Sequence, residues 1–169
     1  MTNVLLFLLT ILVGLGTSTQ VEAQTFISKT GAWEAYQNGA GNKRICYIAS
    51  EPIKKRGKYK SRGDTFVLVT NRPAEKKLSI FELRAGYPYK KDSSVTIKID
   101  SREFKLFTHQ GSAWAKTSKL DQSLANAMIR GGVMTVTGIS RKGNKTVDTY
   151  SLAGFTAAYK AIRKSCGVK

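Results

Sequence analysis

The sequence predicts a mainly β domain: an antiparallel β-sandwich or flattened barrel of about eight strands, with two short helices. Three observations predict it. Apolar and polar residues alternate over short runs, most cleanly where Val95, Ile97 and Ile99 are interleaved with Thr96, Lys98 and Asp100, and only a half-buried strand needs that period. The connections between such runs are of hairpin length and rich in the residues of tight turns. No long helical pattern alternates with strand patterns, which excludes a doubly wound parallel sheet. The chain shows no internal repeat and no low-complexity segment.

Residues 1–23 stand apart from the rest. Val4 to Leu15 is nearly all apolar, broken only by Thr10 and Gly14, and small polar residues then lead to Val21-Glu22-Ala23 before Gln24. This is the apolar core and small-residue cleavage site of a secretory signal peptide. A membrane anchor would need about 18 to 20 apolar residues, more than the run supplies, so no transmembrane span is expected in the mature chain. The expected organisation is a signal peptide over 1–23 and a single β-rich domain over 24–169. The expected location is the periplasm or the exterior, including association with the outer membrane.

Taken in order, Trp33 with Ala35 reads as an edge strand leading into the turn at Gly39, Ala40, Gly41 and Asn42. Ile45 to Ala49 is a short apolar strand, stopped at Ser50-Glu51-Pro52 because proline cannot donate to a ladder. Lys54, Lys55, Arg56, Lys58, Lys60 and Arg62 follow, with Tyr59 among them. Six unopposed cations resist burial, so the segment reads as a solvated loop or mobile hairpin tip. Asp64 to Thr70 is a β-branched strand ended by Asn71-Arg72-Pro73. Leu78 to Ala85 is the next, its alternation slipping near Phe81 as at a bulge. Gly86-Tyr87-Pro88-Tyr89 makes a rigid aromatic turn into the strand at Ser94 to Asp100.

Glu103 to Phe107 is the expected hairpin partner of that strand, broken at His109-Gln110-Gly111 and resumed at Ala113-Trp114-Ala115. Ser118 reads as a helix N-cap with Asp121 three residues on, and Leu120, Leu124, Ala127 and Met128 form an apolar stripe. Gly131-Gly132 ends that helix. Val133 to Ile139 is a strand, and Ser140 to Lys145 a turn containing Gly143-Asn144. A last strand from Thr146 passes at Gly154-Phe155 into a helix whose apolar positions are Phe155, Ala158, Tyr159 and Ile162. Tyr150, Leu152 and Phe155 are expected in the core.

The two cysteines, Cys46 and Cys166, read as one disulfide in an exported chain, with two unpaired thiols as the alternative. The bridge would tie the first apolar strand to the last helix. Closing a loop of about 120 residues is worth roughly 4 to 5 kcal/mol in the chain-entropy model.

The formal net charge is +17. Removal of residues 1–23 takes away one carboxylate, Glu22, and no Lys or Arg, which raises it to +18. Such a field attracts lipid headgroups, lipopolysaccharide phosphates, polysaccharide carboxylates or nucleic acid, and export ranks nucleic acid last of these. Lys54, Lys55, Arg56, Lys58, Lys60 and Arg62 are the candidate anion contacts. Two alternatives stay open: the run is only a solvated loop, or the basic surface only reflects the medium.

Catalytic patterns are missing. One histidine, His109, and two cysteines cannot supply a zinc site at any recognised spacing. The carboxylates do not cluster for hard cations or as a glycosidase pair. There is no Gly-x-Ser-x-Gly elbow. A protein that is not an enzyme and needs neither cofactor nor metal is expected. Arg62-Gly63-Asp64 matches an adhesion tripeptide, a motif short enough to occur by chance.

Several blocks follow one another along the chain: Cys46-Tyr47-Ile48-Ala49-Ser50-Glu51-Pro52, Gly86-Tyr87-Pro88, Ala113-Trp114-Ala115, Ala127-Met128 with Met134-Thr135-Val136, and Asp148-Thr149-Tyr150-Ser151-Leu152-Ala153-Gly154-Phe155 with Ala157-Ala158 and Cys166. Together they resemble the invasion associated locus B family of alphaproteobacteria. The resemblance implies an exported cell-envelope β-sandwich protein that assists host-cell, particularly erythrocyte, invasion, with a host or envelope protein as a further kind of partner. The turn from Ser140 to Thr146 is longer than the Ser-Arg-Gly-Thr common in that family, and the basic run is heavier.

Overall fold

The computed structural model describes residues 24–169, so the signal-peptide reading of 1–23 lies outside the described residues. The strands are β1 (Thr25–Thr30), β2 (Trp33–Asn38), β3 (Ile45–Ser50), β4 (Lys54–Gly57), β5 (Phe66–Arg72), β6 (Lys77–Arg84), β7 (Ser94–Ile99), β8 (Arg102–His109), β9 (Ser112–Trp114), β10 (Val133–Ile139) and β11 (Lys145–Ser151). The helices are α1 (Ser118–Arg130) and α2 (Phe155–Ser165). The strands form one antiparallel sheet in the order β1-β2-β3-β5-β6-β9-β8-β7-β10-β11-β4.

The mainly β, antiparallel class with two helices is as expected, but the count of about eight strands is not: the described residues contain 11. The additional ones have a shared physical cause. β1 and β4 are edge strands with little or nothing buried, so no inward row prints an alternation in their sequences. β9 (Ser112–Trp114) is the resumption expected at Ala113-Trp114-Ala115.

The ladder is open at β1 and β4, so it is neither a closed barrel nor two separate sheets. It nevertheless encloses one core, because Trp33, Ile48, Val67, Phe81, Ile97, Met134 and Tyr150 belong to the same buried cluster as residues of both helices. The sheet has to bend around that cluster. The turn between β1 and β2 then meets the end of β11: Ala32 N–H donates to Ala153 O at 3.2 Å, and Trp33 Nε1–H donates to Ser151 O at 3.0 Å. Gly154 fits this seam because it lacks a side chain. Its φ is +92°, and a Cβ there would stand 1.9 Å from Thr30 O.

Helix α2 covers the seam with Phe155, Ala158, Tyr159 and Ile162, all buried as the sequence predicts. Trp33 meets Phe155 edge-on at 4.9 Å between ring centroids. The bond between Cys46 and Cys166, with Cα atoms 5.9 Å apart, fixes the far end of α2 to β3. Tyr150 and Leu152 are buried as expected.

Three local expectations change. The strand at Trp33 and Ala35, read as an edge, is β2, flanked by β1 and β3 with both residues buried. The irregularity in β6 sits at Ser79, with φ +60°, rather than at Phe81, and Asn71 Oδ1 accepts its N–H at 2.9 Å. The cap of α1 is Thr117, whose Oγ1 accepts Leu120 N–H, while Ser118 is already helical. Asp121 therefore does not serve a capping box. It turns into the sheet, where Oδ1 accepts Phe81 N–H at 2.8 Å, a donor left over where the short β9 stops pairing with β6.

Burial pushes the Asp121 carboxyl up to about 6, against the pull of the Phe81 N–H. The native chain thus holds this proton more tightly than the unfolded chain. Its contribution to stability is complete below the unfolded value, near pH 4, and is lost as pH rises through about 6. Asp121→Asn keeps an acceptor for Phe81 and removes the charge. It is expected to raise the urea midpoint at neutral pH and to flatten the stability profile between about pH 4 and 7. Equilibrium unfolding at several pH values checks this, and an unchanged slope would contradict it.

Candidate functional site

The six candidate cations do not lie in one loop. Lys54, Lys55 and Arg56 lie in β4, paired with Thr149, Asp148 and Val147 of β11. Charged side chains on an exposed edge strand keep other strands from adding to it, which accounts for these three without a ligand. Lys58 and Lys60 are exposed in the turn that follows. Arg62 is the exception to the solvated reading: its side chain is 3% exposed.

Three turns converge beyond β4. Because β4 runs antiparallel to β11, Gly57 lies opposite Thr146, so the segment after β4 emerges beside the turn between β10 and β11. The connection from β6 to β7 joins them. Gly63 N–H donates to Gly86 O at 2.9 Å, Arg141 N–H donates to Pro88 O at 2.8 Å, and Tyr89 bridges to Ser140. Between the turns lies a groove of about 800 Å³. Lys58, Lys60, Arg141 and Lys142 supply its cations, Tyr59 and Tyr87 its aromatic rings, and no carboxylate lines it.

Arg62 forms the floor. Its Nη1 and Nη2 donate to Asp148 Oδ1 at 2.7 Å and Oδ2 at 2.5 Å, and Nε donates to Ala85 O at 2.6 Å. Burial works to lower the guanidinium pKa, but the hydrogen bonds and charge of Asp148 outweigh it and the net shift is upward. The guanidinium lies over the rings of Tyr59, at 5.4 Å, and Tyr87, at 5.0 Å. Tyr87 Oη shares a 2.5 Å hydrogen bond with Thr146 Oγ1, and burial raises its phenol pKa. A buried ion pair therefore holds both rings and leaves the four rim cations without a counter-charge in the groove.

Comparison with known proteins decides the family. The sequence model described as invasion associated locus B (IalB) protein matches residues 33–163, most of the chain. The chain belongs to the IalB family. No curated protein and no solved structure matches it.

The IalB match spans all three groove turns. Of the blocks that carry the resemblance in sequence, Gly86-Tyr87-Pro88 forms one wall of the groove, and Asp148 anchors its floor. Arg141 and Lys142 are groove residues that the sequence reading passed over. Their signal was the long basic turn itself, but nothing local to it shows that β4 crosses to the far side of the sheet and lies beside β11. Arg62-Gly63-Asp64 is not presented as an adhesion tripeptide, since Arg62 is committed to Asp148. His109 is exposed at the end of β8. Among the described residues, no group of three or more His, Cys, Asp or Glu side chains is placed to hold a metal.

Proposed function

We propose that this IalB-family protein is an exported, non-catalytic accessory protein of the cell envelope that binds anionic envelope components through the groove. The observation that carries the reading is four cations from two distant turns around a groove without a carboxylate. In a chain this basic, a local excess of uncompensated charge marks where anions concentrate. Export is supported by the Cys46–Cys166 disulfide, which suits an oxidising compartment. No helix among the described residues is long and apolar enough to cross a membrane, which fits a protein that is periplasmic, secreted or attached to the outer membrane from one side. Assistance to host-cell invasion is supported by the family name alone.

A matched pair of variants tests the groove. Lys58→Gln, Lys60→Gln, Arg141→Gln and Lys142→Gln together remove four charges from it, and Lys98→Gln, Lys105→Gln, Lys119→Gln and Lys160→Gln remove four elsewhere. Retention on anionic vesicles and on lipopolysaccharide is expected to fall about tenfold or more in the first set and much less in the second, with added salt weakening the wild type. Equal loss in both sets would reduce the binding to the overall field and refute the groove.

A further inference from the structure

We infer that the groove takes an anionic saccharide, a sugar ring bearing a phosphate or carboxylate, with a C–H face of the ring against Tyr59 and the anion among Lys58, Lys60, Arg141 and Lys142. This rests on the reading of the groove as an anion site and names the ligand class.

The aromatic rings make the distinction. The face of a tyrosine ring carries negative partial charge and repels a bare anion. Cations alone would make a better phosphate site than cations set around tyrosines. Here the Arg62 guanidinium occupies one face of each ring. Tyr59 is nonetheless 39% exposed, which leaves ring surface for a ligand. A group with weakly positive C–H bonds on one side and an anion on its edge satisfies both ring and rim. A sugar acid or sugar phosphate has that form.

The remaining walls agree. Ser61, Ser140 and Asn144 bring hydroxyl and amide groups suited to sugar hydroxyls. No Val, Leu, Ile, Met or Phe lines the groove, whose apolar surface is left to the tyrosine rings, Pro88 and the lysine stems, so a lipid would engage mainly through its headgroup. The volume of about 800 Å³ falls in the range of sites that enclose molecules larger than an inorganic ion. The floor is also preset, because both rings are held by an ion pair that needs no ligand to form. Binding then has only the rim side chains left to order.

The test is calorimetric titration of the chain from Gln24 to Lys169 with oligogalacturonate, glucosamine phosphate, neutral oligogalactose, inorganic phosphate and adenosine monophosphate. Either acidic saccharide is expected to bind at least about tenfold more tightly than the neutral one or inorganic phosphate, and the tighter of the two identifies the anion. Tyr59→Ala is expected to weaken the acidic saccharide about tenfold while leaving inorganic phosphate unchanged, and Tyr59→Phe, which keeps the ring, to retain binding. Three results overturn the inference: Tyr59→Ala without effect on saccharide, a neutral saccharide binding equally well, or the nucleotide binding more tightly than either acidic sugar. In those cases anionic vesicles that still require the four groove cations leave the anion site standing. If removing those cations changes nothing, both readings fall together.

Discussion

Loss of the Cys46–Cys166 bond is expected to lower the unfolding free energy by roughly 4 to 5 kcal/mol, through the freedom returned to an unfolded chain no longer closed into a loop of 120 residues. Domains of this size are stable by about 5 to 15 kcal/mol in all, so the reduced protein should sit close to its unfolding threshold. Cys46 is fully buried, which makes Cys46→Ala with Cys166→Ala the cleaner variant, since serine would add a buried hydroxyl. Urea unfolding of this variant, and of the wild type with and without reductant, should give the same large drop in midpoint. A loss below about 1 kcal/mol would show that loop closure is not what the bond contributes. Helix α2 keeps its buried Phe155, Tyr159 and Ile162 contacts in the variant, so the native fold should persist under mild conditions.

Asp148→Asn is expected to cost about 3 to 5 kcal/mol, because it leaves the Arg62 guanidinium buried without a counter-charge. The side chains of Arg62 and Asp148 are each 3% exposed, and water cannot reach in to compensate. Replacing both, with Arg62→Met and Asp148→Leu, removes the unpaired charge as well as the pair. It is expected to recover most or all of the lost stability. The double-mutant cycle from urea unfolding therefore has a large coupling term. Anion binding should behave differently: the double variant no longer holds Tyr59 and Tyr87 from below, so it should be stable yet bind weakly. Full binding in the stable double variant would show that the floor does not position the groove.

Much of this fold was legible wherever a strand has one wet face and one dry face. Val95, Ile97 and Ile99 are all buried as their spacing predicts, and so are Phe155, Ala158, Tyr159 and Ile162 on α2. Edge strands escaped because Lys54 to Gly57 buries nothing, and a run of cations at a sheet edge reads the same as a loop. Arg62 was misplaced for a related reason. Its neutralising carboxylate, Asp148, belongs to β11, and no local pattern announces a partner so far along the chain. The groove shows the same limit, since its two cationic turns become neighbours only through the position of β4. Asp121 had the right spacing for a cap, yet a donor stranded past the end of β9 claimed it.

The strand order also sets a timetable for the growing chain. Synthesis proceeds from the amino terminus, and β4 is made early, but the strand it pairs with, β11, is among the last elements to appear. The strands β1, β2 and β3 likewise wait for α2, which packs on all three. Both margins of the sheet thus stay incomplete until the final stretch has been delivered, and nothing short of the whole domain can close. Pairings this remote place folding in the slow, millisecond-to-second class. During that interval the early strands lack their partners, and the lysines and arginine of β4 guard one bare margin against the wrong neighbour.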